Sequence, residues 1–191
     1  MRRRKMVWLL GLTLALLLAG FYPGQTQPLD KRQLPPERRG PVITRAFAAE
    51  KGYYGYVWKV YLEAEDPDGQ MLKIASVVDE VGYGRYPTDW IYLKPQDQKH
   101  FRGFIQWNTF GSTTAYLPEW TQITLNVSIV DKAGNESNPV VFPFTFEITP
   151  HQYSDEPPAP FDQGNISLLG HIMVDLYLPG EGGYGHDRKM Y

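Results

Sequence analysis

The stretch TQITLNVSIVDKAGNESNPVVFPFTFEI, residues 121–148, limits the fold more than any other part of the chain. Ile123, Leu125, Val127 and Ile129 alternate with Gln122, Thr124, Asn126 and Ser128. A period of two puts these sets on opposite faces of an extended strand; a helix would scatter both around its axis. The second run places Val140, Phe142, Phe144, Phe146 and Ile148 on one side. Pro143 has no N–H, so this strand must lie at an edge or leave that position unpaired. Between the runs, Gly134 and Asn135 tolerate positive φ, and the Asp131 carboxylate can accept backbone amides. The segment therefore reads as a hairpin.

The same signal recurs upstream. In GYVWKVYLEAE, Tyr56, Trp58, Val60, Leu62 and Ala64 share one face, with Lys59, Glu63 and Glu65 on the other. MLKIASVV continues as a strand after the turn EDPDG. DEVGYGRYPTD reads as a loop, and WIYLK and FRGFIQWNTF as further strands. Gly103 in the last of these marks a bulge or a close backbone approach. Aromatic residues make up 14% of the chain, and 18 Gly and 16 Pro supply turns, a mixture that favours strands over helices. About seven short strands over residues 41–150 predict an all-β antiparallel sandwich whose two sheets each bury one face.

The termini read differently. Arg2, Arg3, Arg4 and Lys5 precede VWLLGLTLALLLAGFY, a run of 16 residues without charge. Basic residues followed by an apolar stretch mark an export signal, so residues 1–26 are expected to be a signal peptide or a signal anchor. The run is slightly short for a full membrane span. Residues 27–40, QPLDKRQLPPERRG, form a Pro- and charge-rich linker. The expected location is therefore outside the cytoplasm: periplasm, cell surface or medium, with membrane contact only through the N-terminus. With no cysteine, the chain has no disulfide, thiolate metal site or Cys nucleophile. Residues 27–191 carry 15 basic and 21 acidic side chains, a formal net of −6, which argues against a nucleic-acid partner. Residues 151–191 combine a linker, HQYSDEPPAPFD, an extra strand-like segment, ISLLGHIMVDLYL, and a Gly-rich tail. The extra segment either folds back on its own sandwich or adds to the sheet edge of a partner.

The hairpin carries a family resemblance. LPEWTQITLNVSIVDKAGNESNPVVFPFTF resembles the last hairpin of bacterial immunoglobulin-like and fibronectin type III-like domains, where a strand ending in Asp leads into Ala-Gly-Asn and a small polar residue. Here those positions are Asp131, Ala133, Gly134, Asn135 and Ser137. LEAEDPDGQMLKI resembles the turn between the second and third strands of cadherin-like modules, at residues 65–69. The position of the fibronectin corner Tyr is occupied by Ile123, so the resemblance implies an immunoglobulin-like sandwich without assigning a subfamily. It also implies that the two turns share one pole, where Glu65, Asp66, Asp68, Asp131 and Asn135 would converge. Calcium takes about six to eight hard oxygen ligands, and it is the cofactor such a set would hold. Asp, Asn and Gly are equally the ordinary residues of turns.

Tyrosines also cluster beside glycines, in GYYGY (52–56) and GYGRY (82–86). Tyr53, Tyr54, Tyr83, Tyr86 and Trp90 are the candidate binding residues, because exposed rings stack on sugars or anchor a protein interface. They could equally cover the rim of the sandwich. The four histidines make no spaced metal motif, and no nucleophile elbow, phosphate loop or zincin helix is present. The chain is therefore expected to be a non-catalytic module for adhesion, envelope scaffolding or protein assembly. The alternative is a carbohydrate-binding module. A third reading, a small hydrolase, needs two carboxylates facing one pocket.

Overall fold

A computed structural model describes residues 40–110, 121–147 and 156–177. The expected signal segment (1–26), nearly all of the 27–40 linker, Ile148, and residues 149–155 and 178–191 lie outside the described residues. Ten strands form: β1 (Val42–Ala48), β2 (Lys51–Tyr53), β3 (Val57–Glu65), β4 (Met71–Glu80), β5 (Gly84–Arg85), β6 (Asp89–Tyr92), β7 (His100–Asn108), β8 (Gln122–Asp131), β9 (Val140–Glu147) and β10 (Ser167–Ile172). The only helical turn among the described residues is a 3-10 turn at Pro95–Asp97. The prediction of an all-β body is met, with short strands added to the expected set.

The strands form two sheets. One is four-stranded, in the order β1-β3-β7-β10; the other runs β2-β9-β8-β4-β5, with β6 also paired to β4. Most pairs are antiparallel, as expected, but β2 joins β9 and β10 joins β7 in parallel. This is the immunoglobulin-like arrangement. The first strand divides between the sheets as β1 and β2. Strands β3 and β7 lie side by side in one layer, and β4, β8 and β9 lie in the other. The place beside β7, which such sandwiches fill from the middle of the chain, is filled here by β10 from the far end.

Alternation decides which side chains meet. Trp58, Val60, Leu62 and Ala64 from β3 and Phe101, Ile105 and Trp107 from β7 face Ile123, Leu125, Val127, Ile129, Phe142, Phe144 and Phe146 from β8 and β9, all buried. Trp58 packs on Trp107 and Phe144, with ring centroids 6.2 and 4.5 Å apart. Both indoles have partners: Trp58 Nε1 donates to Ala49 O at 2.8 Å, and Trp107 Nε1 to Val174 O at 2.9 Å. Pro143 is exposed on β9. It lies beyond the three residues of β9 that pair with β2, where β9 itself is the sheet margin, so its missing N–H costs no ladder bond there.

One departure from the sequence reading is that β4 runs on to Glu80 and β5 forms within the stretch expected to be a loop. Of the two courses open to the C-terminal segment, it takes the first and folds back on its own sheet. Leu169, Ile172 and Leu176 enter the core, and β7 accepts β10 because Gly103 leaves room. A Cβ at Gly103 would stand 2.6 Å from Leu169 Cγ and 2.7 Å from the Ser167 carbonyl.

Candidate functional site

The outer face of the four-stranded sheet is the surface on which side chains of distant sequence origin meet. Register sets its rungs. Arg45, Glu63 and Arg102 stand opposite one another; the next rung outward is Phe47, Tyr61, Phe104 and Leu168; the next is Lys59, Gln106 and His171. A register shift between Ile43 and Arg45 makes this possible. Ile43 points into the core, and without the extra residue Arg45 and Phe47 would follow it inward.

The first rung is an ion cluster around one carboxylate. Glu63 accepts from Arg102 Nη2 at 2.8 Å, with Arg45 Nη1 at 3.6 Å and His100 Nε2 at 3.5 Å. The Arg102 hydrogen bond holds the Glu63 carboxyl below its usual range; burial opposes this, and the charges of Arg102 and Arg45 reinforce it. The aromatic rung is a corrugated strip. Tyr61 lies 6.2 Å from Phe47, 5.6 Å from Phe104 and 5.6 Å from Phe161, tilted against each. Lys59 Nζ sits 5.3 Å above the Phe104 ring.

Residues 156–166 arch over this strip and turn it into a groove of about 530 Å³. Its floor is Tyr61 and Phe104, its wall is Phe161, and its lip carries Glu156, Asp162, Gln163 and Asn165 beside Lys59. A second hollow of about 340 Å³, reached across Tyr61 and Lys59, is lined by Phe47, Tyr53 and Tyr56.

The residues expected to form sites fare differently. The two acidic turns do adjoin, because Lys132 N donates to Gln70 O. They do not form one ligand set. Asp66 accepts from the amides of Asp68 and Gln70 at 2.9 and 2.8 Å. Asp131 accepts from the amides of Ala133 and Asn135, both at 2.8 Å, and from Asn135 Nδ2 at 2.7 Å. Both aspartates are buried under their own turns, while Glu65 and Asp68 stay at the surface. No group of three or more His, Asp or Glu able to hold a metal ion occurs among the described residues.

The five candidate binding rings do not share a surface either. Tyr54 stacks on Phe146 at 4.8 Å and packs against the core. Tyr86 is buried; its hydroxyl donates to Glu80 and accepts from Tyr177 N at 2.9 Å. Tyr83 stacks on Tyr86 and Tyr177, at 4.5 and 5.5 Å. These three rings fasten the C-terminal segment. Trp90 is exposed but occupied on one face by Lys73 Nζ, 3.6 Å from its centroid. Tyr53 is on β2 and Tyr83 adjoins β5, with β9, β8 and β4 between them, so at about 4.8 Å per strand they stand about 19 Å apart. Of the five, Tyr53 alone borders the outer-face hollows. Sequence reading passed over Phe47, Tyr61 and Phe104. A signal for one of them existed: Tyr61 is a large ring at the outward parity of β3, between Lys59 and Glu63.

Layers, registers and surface together define an immunoglobulin-like β-sandwich with a contoured aromatic outer face on its four-stranded sheet. No family model matches the chain, and no curated protein matches it. Among solved structures it is similar to the PKD domain of an M14-like peptidase from a Thermoplasmatales archaeon, with 12% identity and a TM-score of 0.37, over 58% of this chain and 98% of that one. It is also similar to the CARDB domain of a Pyrococcus furiosus protein, solved in complex with di-metal ions, with 11% identity and a TM-score of 0.32, over 63% of this chain and 99% of that one.

Proposed function

We propose that the chain is a non-catalytic exported module that serves adhesion, scaffolding or assembly at the cell envelope by binding through the outer face of its four-stranded sheet. One observation carries this reading: the bulge in β1 and the arch of residues 156–166 leave rings from β1, β3 and β7 lining two adjoining hollows. Partly exposed rings in concave surroundings are the usual anchors of binding surfaces. Arg2 to Tyr22, basic then apolar, supports export. The capped Asp66 and Asp131 turns carry the resemblance to fibronectin type III-like and cadherin-like modules.

Photo-crosslinking in intact cells tests the surface. The full-length chain with Gln106→p-benzoylphenylalanine is expected to form adducts outside the cytoplasm. The same probe at exposed Val141, on the opposite sheet, is expected to form none. Equal labelling at both positions, or none at Gln106, would remove this face from the account.

A further inference from the structure

We infer that the groove between Tyr61, Phe104, Phe161 and the arch of residues 156–166 is a subsite for a neutral polysaccharide chain. This rests on the outer face being the binding surface and adds the class of ligand. The groove offers two kinds of contact side by side. The rings of Tyr61 and Phe104 form the floor, an apolar surface suited to the C–H groups of a sugar ring. The lip supplies acceptors from Glu156 and Asp162, amides from Gln163 and Asn165 that both donate and accept, and a donor from Lys59. Hydroxyl groups, each a donor and an acceptor, match that mixture.

The other classes of occupant fit less well. A peptide that adds as a strand needs a free sheet edge, and this groove lies over β3 and β7, both interior strands. An anionic polymer would meet two carboxylates and one ammonium on the lip. A purely apolar helix face or acyl chain would strip water from five polar side chains without replacing their hydrogen bonds.

The backbone supplies a second, independent observation. Five described glycines take positive φ, and Asn165, at φ 114°, is the only other described residue that does. Glycine would adopt that conformation without strain. Asn takes positive φ more readily than most side chains, and at this position it puts a side-chain amide on the lip of the groove where glycine would put none.

The test is an array of neutral and acidic oligosaccharides probed with the purified full-length chain, followed by calorimetry with the neutral oligosaccharide that binds best. Neutral spots are expected to exceed acidic ones. Tyr61→Ala is expected to weaken binding about ten-fold. Asn165→Gly should weaken it by a similar factor while leaving the melting temperature unchanged or higher, a result that a purely structural Asn165 would not give. Binding weaker than about 1 mM for every neutral oligosaccharide overturns the inference, as does preference for the acidic ones. Undiminished binding in Asn165→Gly and Tyr61→Ala also overturns it. If crosslinks form at Gln106 while no neutral glycan binds, the surface stands and the ligand class falls. If neither is seen, both fall.

Discussion

Glu80 shows how one side chain can set a pH response. It sits at the inward parity of β4 beyond Ile74 and Val78, 3% exposed, with one oxygen accepting from Tyr86. Its Oε1 has no hydrogen-bond partner among the described residues. Burial pushes its carboxyl pKa up, against the opposing effect of the Tyr86 hydroxyl, and burial also pushes the Tyr86 hydroxyl up. A group raised in the folded state favours folding most fully below its unfolded value, near 4.5, and that contribution is lost as pH rises through the folded value. Glu80→Gln keeps an acceptor for Tyr86 and cannot ionise. Its melting temperature should exceed that of the wild type at pH 8, with the gap closing by pH 4; parallel melting curves across that range would refute the assignment. Position 80 was not legible as a core site because the Gly- and Tyr-rich residues after it read as a loop that began one residue earlier. Tyr83 and Tyr86 misled for a related reason. Their surroundings are supplied by Tyr177, which lies 91 positions beyond Tyr86 and leaves no local trace.

At the scale of elements, the long alternating strands were readable because their signal is local. Ile123 to Ile129 all point into the core as their spacing requires, and so do Phe142, Phe144 and Phe146. Gly103 was readable as a close approach, though not what approaches it. Strands β2 and β5 were not, since two or three residues hold no period. The aromatic rung was not legible as a unit: it exists only once β1, β3 and β7 are in register, and the β1 bulge reverses the parity that alternation would assign to Phe47. The contact between β7 and β10 gives the prediction proper to this scale. Gly103→Ala forces a methyl into the Ser167 carbonyl and Leu169, so β10 must shift or detach. A loss of about 1–3 kcal/mol is expected in urea unfolding, with faster amide exchange in residues 167–172 than in β8. A variant as stable as the wild type would show that β10 does not rest on Gly103.

For the whole molecule, stability comes from one core shared by two layers, with no disulfide to assist it. In the pole that carries Asp66 and Asp131, both carboxylates already accept backbone amides. EDTA is therefore expected to leave the melting temperature of the full chain unchanged, and added calcium to shift it by less than about 1 °C. A shift of several degrees would mean that the turn carboxylates recruit an ion despite their amide partners. The filling of the position beside β7 by β10 also fixes an order of events in biosynthesis. The carbonyl that receives the Trp107 indole lies 67 residues later in the chain. At about 5–20 residues per second, roughly 3–13 s pass on the ribosome between the two. Throughout that interval the nascent protein displays a naked strand margin able to zip onto a sibling. A ribosome stalled before codon 167 would release a sticky fragment rather than a shorter working molecule.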